Sequence, residues 1–289
     1  MFSRSSTLLL LPRGLFDADG RCHRTAGIRP LTGQQEAVVA ELGERPGAAD
    51  VSRLLRVCLE SIGGYSPVEL PQIQALARGD RQFLLLQLRR LLSGDNLPLV
   101  VRCPNPACHQ LADLDLSVAE LLAEAKPGKE LIEVQTAEGT FRLCEPTGAD
   151  DEALELLPGA WRDRAAQLWD RLILDRDEKA WEGGWEKLSP ATRAQLAMAL
   201  ADQSCGPDLV VFSTCPACSA LLEVVLDPMM ILMRELRTGV ERLLAEVHSL
   251  AWHYHWSEEQ ILDLPRARRW HYLELIRAQV EGSTPREWR

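Results

Sequence analysis

Of the eight cysteines in this chain, four fall in two close pairs, Cys103-Pro104-Asn105-Pro106-Ala107-Cys108 and Cys215-Pro216-Ala217-Cys218. Each pair lies in a Pro-containing turn, which brings two sulfurs toward one point. Two such turns supply the four soft ligands that a tetrahedral ion such as zinc requires. The pattern predicts Zn2+ bound by Cys103, Cys108, Cys215 and Cys218. Four protein ligands leave no coordination position for water, so the predicted metal is structural: a staple worth on the order of 10 kcal/mol that ties two distant segments together. The first turn, Cys-x4-Cys, is wider than the Cys-Pro-x-Cys of the second. Two other readings compete. Cysteine is often a plain core residue, although two proline turns argue against that here. A dithiol redox centre at Cys215 and Cys218 would sit where a strand meets a helix, whereas this turn joins two strands. His109 can be considered as a substitute ligand but reads as a solvated neighbour. The scattered Cys22, Cys58, Cys144 and Cys205 fit a reducing compartment better than a disulfide framework.

The cysteine turns need strands to hold them. Leu97 to Arg102 and Leu111 to Leu116 flank the first turn, the second of these alternating Asp113-Leu114-Asp115-Leu116. Leu209 to Phe212 and Leu221 to Leu226 flank the other turn. The predicted class is therefore α+β, predominantly helical. A small zinc-ribbon-like β module forms from two separated strand, Cys turn, strand segments, with a helical insertion and a C-terminal helical tail. Residues 1–30 form an N-terminal hairpin or a loosely ordered segment, with a short strand at Leu8 to Leu11 and a turn at Asp17-Ala18-Asp19-Gly20. Residues 31–96 form a helical domain. There Thr32 with Gln35 makes a capping box, Asp50 and Asp80 are N-cap candidates, Gly63-Gly64 and Gly94 are stops, and Phe83 to Leu88 is buried all round. The β module comprises 97–145 and 204–228. It includes a short helix opened by Ser117 and Glu120 and a hairpin turning at Glu138-Gly139. Residues 146–203 are the helical insertion, with Trp161, Leu168, Trp169 and Leu172 on one face and Ser189-Pro190 starting a helix.

Residues 229–289 form the tail. A long helix is expected after Asp227-Pro228, with a heptad seam of Met233, Val240, Val247 and Tyr254 beside Leu236, Leu243 and Leu250 for another helix to fill. Ser257 with Gln260 caps a short helix. Pro265 starts the last one, which groups Trp270, Leu273 and Ile276 before Gly282. The cluster Trp252-His253-Tyr254-His255-Trp256 and the basic run Arg266, Arg268, Arg269 mark this tail as a partner surface, with Trp252, Tyr254, His255, Trp256, Arg266, Arg268, Arg269 and Trp270 as its candidates. His253 and His255 point to different helix faces and do not make a metal pair. Glu36, Asp150 and Asp151 near helix starts are explained by the macrodipole.

Net charge is −10 from 32 Lys and Arg against 42 Asp and Glu, which repels phosphate and anionic membranes and argues against nucleic acid as the main partner. No apolar run approaches the roughly 20 residues of a membrane span. The Leu8 to Leu11 run is too short for a signal peptide and ends at Pro12-Arg13, so a cytoplasmic protein is expected. There is no Gly-x-Gly-x-x-Gly, Gly-Lys-Ser/Thr loop, Gly-x-Ser-x-Gly or His-Glu-x-x-His pattern, which favours a scaffold over an enzyme with a small-molecule substrate.

Arg29-Pro30-Leu31-Thr32-Gly33, Gly79-Asp80-Arg81-Gln82-Phe83-Leu84-Leu85, the strands with their cysteine turns, and Arg142 with Pro146-Thr147-Gly148-Ala149-Asp150 together resemble the T-even phage baseplate hub assembly-protein family, versions of which occur in extracellular contractile injection systems. Val247 to Ser257, with Ile261, Leu264-Pro265 and Arg268-Arg269, resembles a short domain found in the same gene clusters. The resemblance implies a non-enzymatic assembly factor or adaptor whose partners are baseplate, hub or spike proteins of a phage-tail-like contractile machine, and which could stay in the finished particle. A zinc-ribbon nucleic-acid module and a zinc hydrolase are the alternatives.

Overall fold

The leucine-rich start of the chain forms strand β1 (Thr7–Phe16), which turns and returns as β2 (Cys22–Ile28) in the computed structural model, where residues 7–29, 32–40, 46–237 and 240–280 are described. Asp17 builds the turn: its Oδ1 accepts from the backbone N–H groups of Asp19 and Arg21, and its Oδ2 meets His23 Nε2 at 3.0 Å. A third strand, β3 (Leu59–Ile62), extends this antiparallel sheet beside β2. The sequence hides β3, because it follows helix α2 (Ala48–Cys58) with no breaker between them. Gly63, at φ +54, consequently ends a strand and not a helix.

Helices α2 and α4 (Arg78–Ser93) pack on this sheet, while α1 (Gly33–Ala40) and α3 (Leu70–Ala75) pack on α2. Helix α4 is the axis of the main core: Phe83, Leu84, Leu85, Leu86 and Leu88 are all buried, as expected of a run that is apolar on every side. Neither aspartate expected at an N-cap occupies one. Gly47 caps α2, and Asp50, one turn in, reaches back to its N–H at 3.0 Å. Asp80 lies within α4 and is fully buried, accepting from the backbone N–H groups of Arg13 (2.9 Å) and Gly14 (2.8 Å). The bulge of β1 between Leu10 and Leu15 turns these two N–H groups away from the ladder, and Asp80 satisfies them.

Two antiparallel ribbons carry the cysteine turns, β4 (Asn96–Arg102) with β5 (Leu111–Ser117), and β10 (Val210–Thr214) with β11 (Leu221–Val225). Ser117 caps α5 (Val118–Ala123) as expected. The hairpin β6 (Ile132–Thr136) and β7 (Gly139–Leu143) forms where the sequence places it but does not join the cysteine ribbons. It pairs with β8 (Ile173–Arg176) and β9 (Lys179–Ala180) in a four-stranded sheet. The segment 146–203 is thus not purely helical. Its helices α6 (Gly148–Leu156), α7 (Trp161–Leu172) and α8 (Pro190–Gln203) accompany a sheet whose core of Ile132, Phe141, Leu143, Ile173 and Leu196 is separate from the main one. Trp169 stacks on Trp185 at 4.4 Å, and Asp170 Oδ1 accepts from Trp181 Nε1 and from the backbone N–H groups of Gly184 and Trp185.

The tail contains α9 (Pro228–Arg237), α10 (Val240–Tyr254), α11 (Glu258–Leu262) and α12 (Arg266–Val280). The helix expected after Asp227-Pro228 is described as α9 and α10, with residues 238–239 between them outside the described residues, and the seam positions that are described do not form an open surface. Met233 enters the main core, while Leu243 and Leu250 are buried where α10 meets its neighbours. Pro30, Leu31 and Gly282, with the side chains of Leu236 and Val240, lie outside the described residues. The whole is mixed α+β, richer in helix than in strand, with small antiparallel sheets. Among the described residues no helix is long and apolar enough to cross a membrane.

Candidate metal centre

The inner faces of the two ribbons bring Ala112 and Leu222 together beside Cys103 and Cys215. Nearer the bases, Leu97, Leu99, Val211, Val224 and Leu226 join the main core. The ribbons are thus anchored at one end and carry the cysteines at the other. There the sulfurs of Cys103, Cys108, Cys215 and Cys218 all lie within 4.8 Å of one another. Cys103 Sγ is 3.6 Å from Cys218 Sγ, and Cys108 Sγ is 3.9 Å from Cys215 Sγ. A tetrahedron with metal–sulfur bonds of about 2.3 Å has edges of about 3.8 Å, so the set fits one tetrahedrally bound ion.

The two turns share a backbone design. Cys103 N donates to Gln110 O at 2.9 Å and Cys215 N to Ala220 O at 2.8 Å, closing each turn at the ribbon end. The residue after each second cysteine, His109 at φ 52 and Ser219 at φ 58, takes the left-handed conformation that returns the chain to its strand. The wider first turn uses its extra residues. Asn105 Oδ1 accepts from Ala107 N at 2.9 Å, and its Nδ2 lies 3.7 Å from Cys218 Sγ, a donor to a sulfur of the opposite turn. His109 is exposed and is not among the grouped ligands.

The thiols are electrostatically unequal. The N–H groups of Ala217 and Cys218 aim at Cys215 and hold its pKa down to about 7, whereas burial pushes the Cys103 thiol up to about 12. One sulfur is thereby close to its thiolate form near neutral pH, and the remaining protons would leave on metal binding. Among the described residues this is the one group of three or more cysteine, histidine or carboxylate side chains placed to hold a metal ion. His253 Nδ1 instead meets Ser249 O at 2.9 Å.

The residues expected to form a partner surface divide. Trp252 (73% exposed) and Trp270 (60%) stand in solvent, as do His255 and Arg268, and Arg266 is half-buried. Tyr254 and Trp256 turn inward. They stack at 4.8 Å, and both meet Tyr272 edge-on, over a small core of Leu250, Ile261 and Ile276. Arg269 leaves the surface altogether. Fully buried, it donates from Nη2 to Glu36, from Nε to Glu246 and from Nη1 to Leu264 O. Glu36 is thus an ion-pair partner for the tail, and its carboxyl is raised above the ordinary range, chiefly by burial. Position in a helix start had concealed that role; the only signal was an arginine one turn into a helix whose other inward positions are apolar.

Two of the motifs in the resemblance meet in space. Arg78 N donates to Pro146 O and Gly148 N to Leu76 O, so the Gly79-Asp80-Arg81 segment lies along Pro146-Thr147-Gly148. Also illegible from the sequence was the outer face of the β10–β11 ribbon, where Phe212, Leu221 and Val225 are exposed. No family model matches the chain, and neither the curated proteins nor the solved structures contain a match to it.

Proposed function

We propose that this chain is a non-enzymatic assembly factor or adaptor for the baseplate hub of a phage-tail-like contractile injection system, with a structural Zn2+ held by Cys103, Cys108, Cys215 and Cys218. The observation that carries the metal is the convergence of four sulfurs, from turns more than 100 residues apart, at the spacing of one tetrahedral ion. Four thiolates, with His109 outside the ligand group, favour zinc over hard cations and fill its coordination sphere, so the ion would brace the ribbons and would not activate water. Bracing suits docking. The module presents Phe212, Leu221 and Val225 outward, and the tail presents Trp252 and Trp270, apolar groups of the kind that concentrate interaction energy. The assignment to a baseplate rests on the resemblance of the motifs given above, and a cytoplasmic site of assembly belongs to the same reading.

Two measurements test it. Elemental analysis of the purified chain should give one zinc per molecule, lost in a Cys103→Ser, Cys215→Ser variant. Co-expression with a complete injection-system gene cluster should recover the chain with hub, spike or baseplate subunits, and its deletion should leave particles without sheath or tube. Normal particles from the deletion strain would refute the adaptor role while leaving the metal site standing.

A further inference from the structure

A groove of about 840 Å³ runs between α10 and α12 and reaches the end of α4. Its apolar part includes Leu91, Trp270 and Val280, the last two exposed by 60% and 74%. Arg242, Arg266 and Arg277 line it as well. The carboxylates there are less available than the guanidiniums. Glu246 is 8% exposed and committed to buried Arg269 at 2.9 Å, which leaves it 3.6 Å from Arg242. Glu274, 39% exposed, pairs with Arg277 at 2.9 Å, while Arg242 and Arg277 are 50% and 68% exposed. On a chain of net charge −10, the accessible charge at this rim is positive.

We propose that this groove receives an acidic amphipathic α-helix from a partner protein. An apolar stripe on that helix would cover Trp270, Leu91 and Val280, and acidic side chains along its flanks would meet Arg242, Arg266 and Arg277. From Trp270 to Val280 the wall extends about 15 Å, close to three turns of helix, so anchors at i, i+3, i+7 and i+10 match its length. Charge selects this occupant. A basic helix would be repelled by the three arginines, and nucleic acid or an anionic membrane would meet the acidic remainder of the chain. The adaptor reading is needed only for where the partner comes from; the groove is tested without it.

The probe is a synthetic, side-chain-stapled helix of about four turns with leucine at the anchor positions and glutamate on the flanks. Its twin carries lysine in place of glutamate. Binding of each to the full-length, zinc-loaded chain is followed by fluorescence anisotropy. The glutamate helix should bind at least about tenfold more tightly than the lysine helix, and more weakly as salt rises. Trp270→Ala should weaken it by a further factor of about ten. The double variant Arg242→Glu, Arg277→Glu should reverse the preference, a result that mere unfolding cannot produce. Circular dichroism and zinc content confirm that both variants fold. Equal binding of the two helices, or of neither, overturns the proposal. So does tighter binding to duplex DNA or phosphatidylserine vesicles, and so does sedimentation showing a dimer that Trp270→Ala dissolves, which would make the occupant a second copy. Absence of hub proteins in the co-expression experiment with intact peptide binding would instead sink the adaptor reading alone.

Discussion

Arg269 shows how one side chain can join parts of a chain that share no sheet or turn. Its guanidinium holds Glu36 in α1 and Glu246 in α10 with 0% exposure. Removing one member of such a buried network leaves charges with neither water nor a partner. We expect Arg269→Met to cost about 3–5 kcal/mol in urea unfolding. The deficit should shrink on acidification, because Glu36, whose carboxyl burial already raises, can then protonate. Asp80 gives a second pH signature. Burial raises its pKa from 3.8 to about 6, despite the two backbone N–H groups it accepts. The folded state therefore holds this proton more tightly than the unfolded chain. That stabilisation is complete below about pH 4 and is lost as pH rises through 6. The unfolding free energy of the native chain relative to Asp80→Asn should fall by up to roughly 3 kcal/mol between pH 4 and pH 7, measured by chemical denaturation at each pH. A flat difference would mean that Asp80 is ionised throughout.

Secondary elements with their own punctuation were the ones readable in advance. Ser189-Pro190 and Ser257 with Gln260 announced their helices, and Glu138-Gly139 its hairpin. The four cysteines that cluster were equally plain, because both turns declare themselves within a few residues. What was hidden depends on contacts between distant segments. Strand β3 continues directly from α2, the β6–β7 hairpin chooses β8 over the cysteine ribbons, and Met233, Leu243 and Leu250 of the tail's heptad pattern are buried inside the molecule. Tyr254 and Trp256 could not be sorted from Trp252 by composition, since only the packing of α12 decides which aromatics turn inward. The seam between α4 and the Pro146-Thr147-Gly148 segment is another such contact, and glycine makes it possible. A Cβ on Gly79 would overlap the Cys205 carbonyl, and one on Gly148 the Arg81 guanidinium. Gly79→Ala, which meets rigid backbone, should lower stability by about 1–3 kcal/mol, while Gly148→Ala can be partly relieved by movement of Arg81. Thermal denaturation of the two variants should rank them in that order.

Among the described residues four hydrophobic assemblies coexist: the main core around α4, the core of the four-stranded sheet, the small aromatic core of the tail, and the cluster of Cys103, Ala112, Cys215 and Leu222 between the ribbons. The ribbons join the first only at their bases, so a metal held by the four sulfurs would matter most at their far ends. Chelation should speed amide hydrogen exchange at Cys103, Cys108, Cys215 and Ser219, whose N–H groups donate within the turns, by at least about a hundredfold, while β6 and β7 exchange as before. Uniform loss of protection would show instead that the metal supports the entire fold. The distance along the chain between the two halves of this centre also bears on biosynthesis. Cys108 and Cys215 are 107 positions apart, so a nascent polypeptide leaves the ribosome with two thiols awaiting their counterparts while the β6–β9 unit is still being translated. Capture of a metal ion by all four sulfurs would then be a late event, and a chain interrupted before Cys218 emerges would carry an incomplete cysteine cluster.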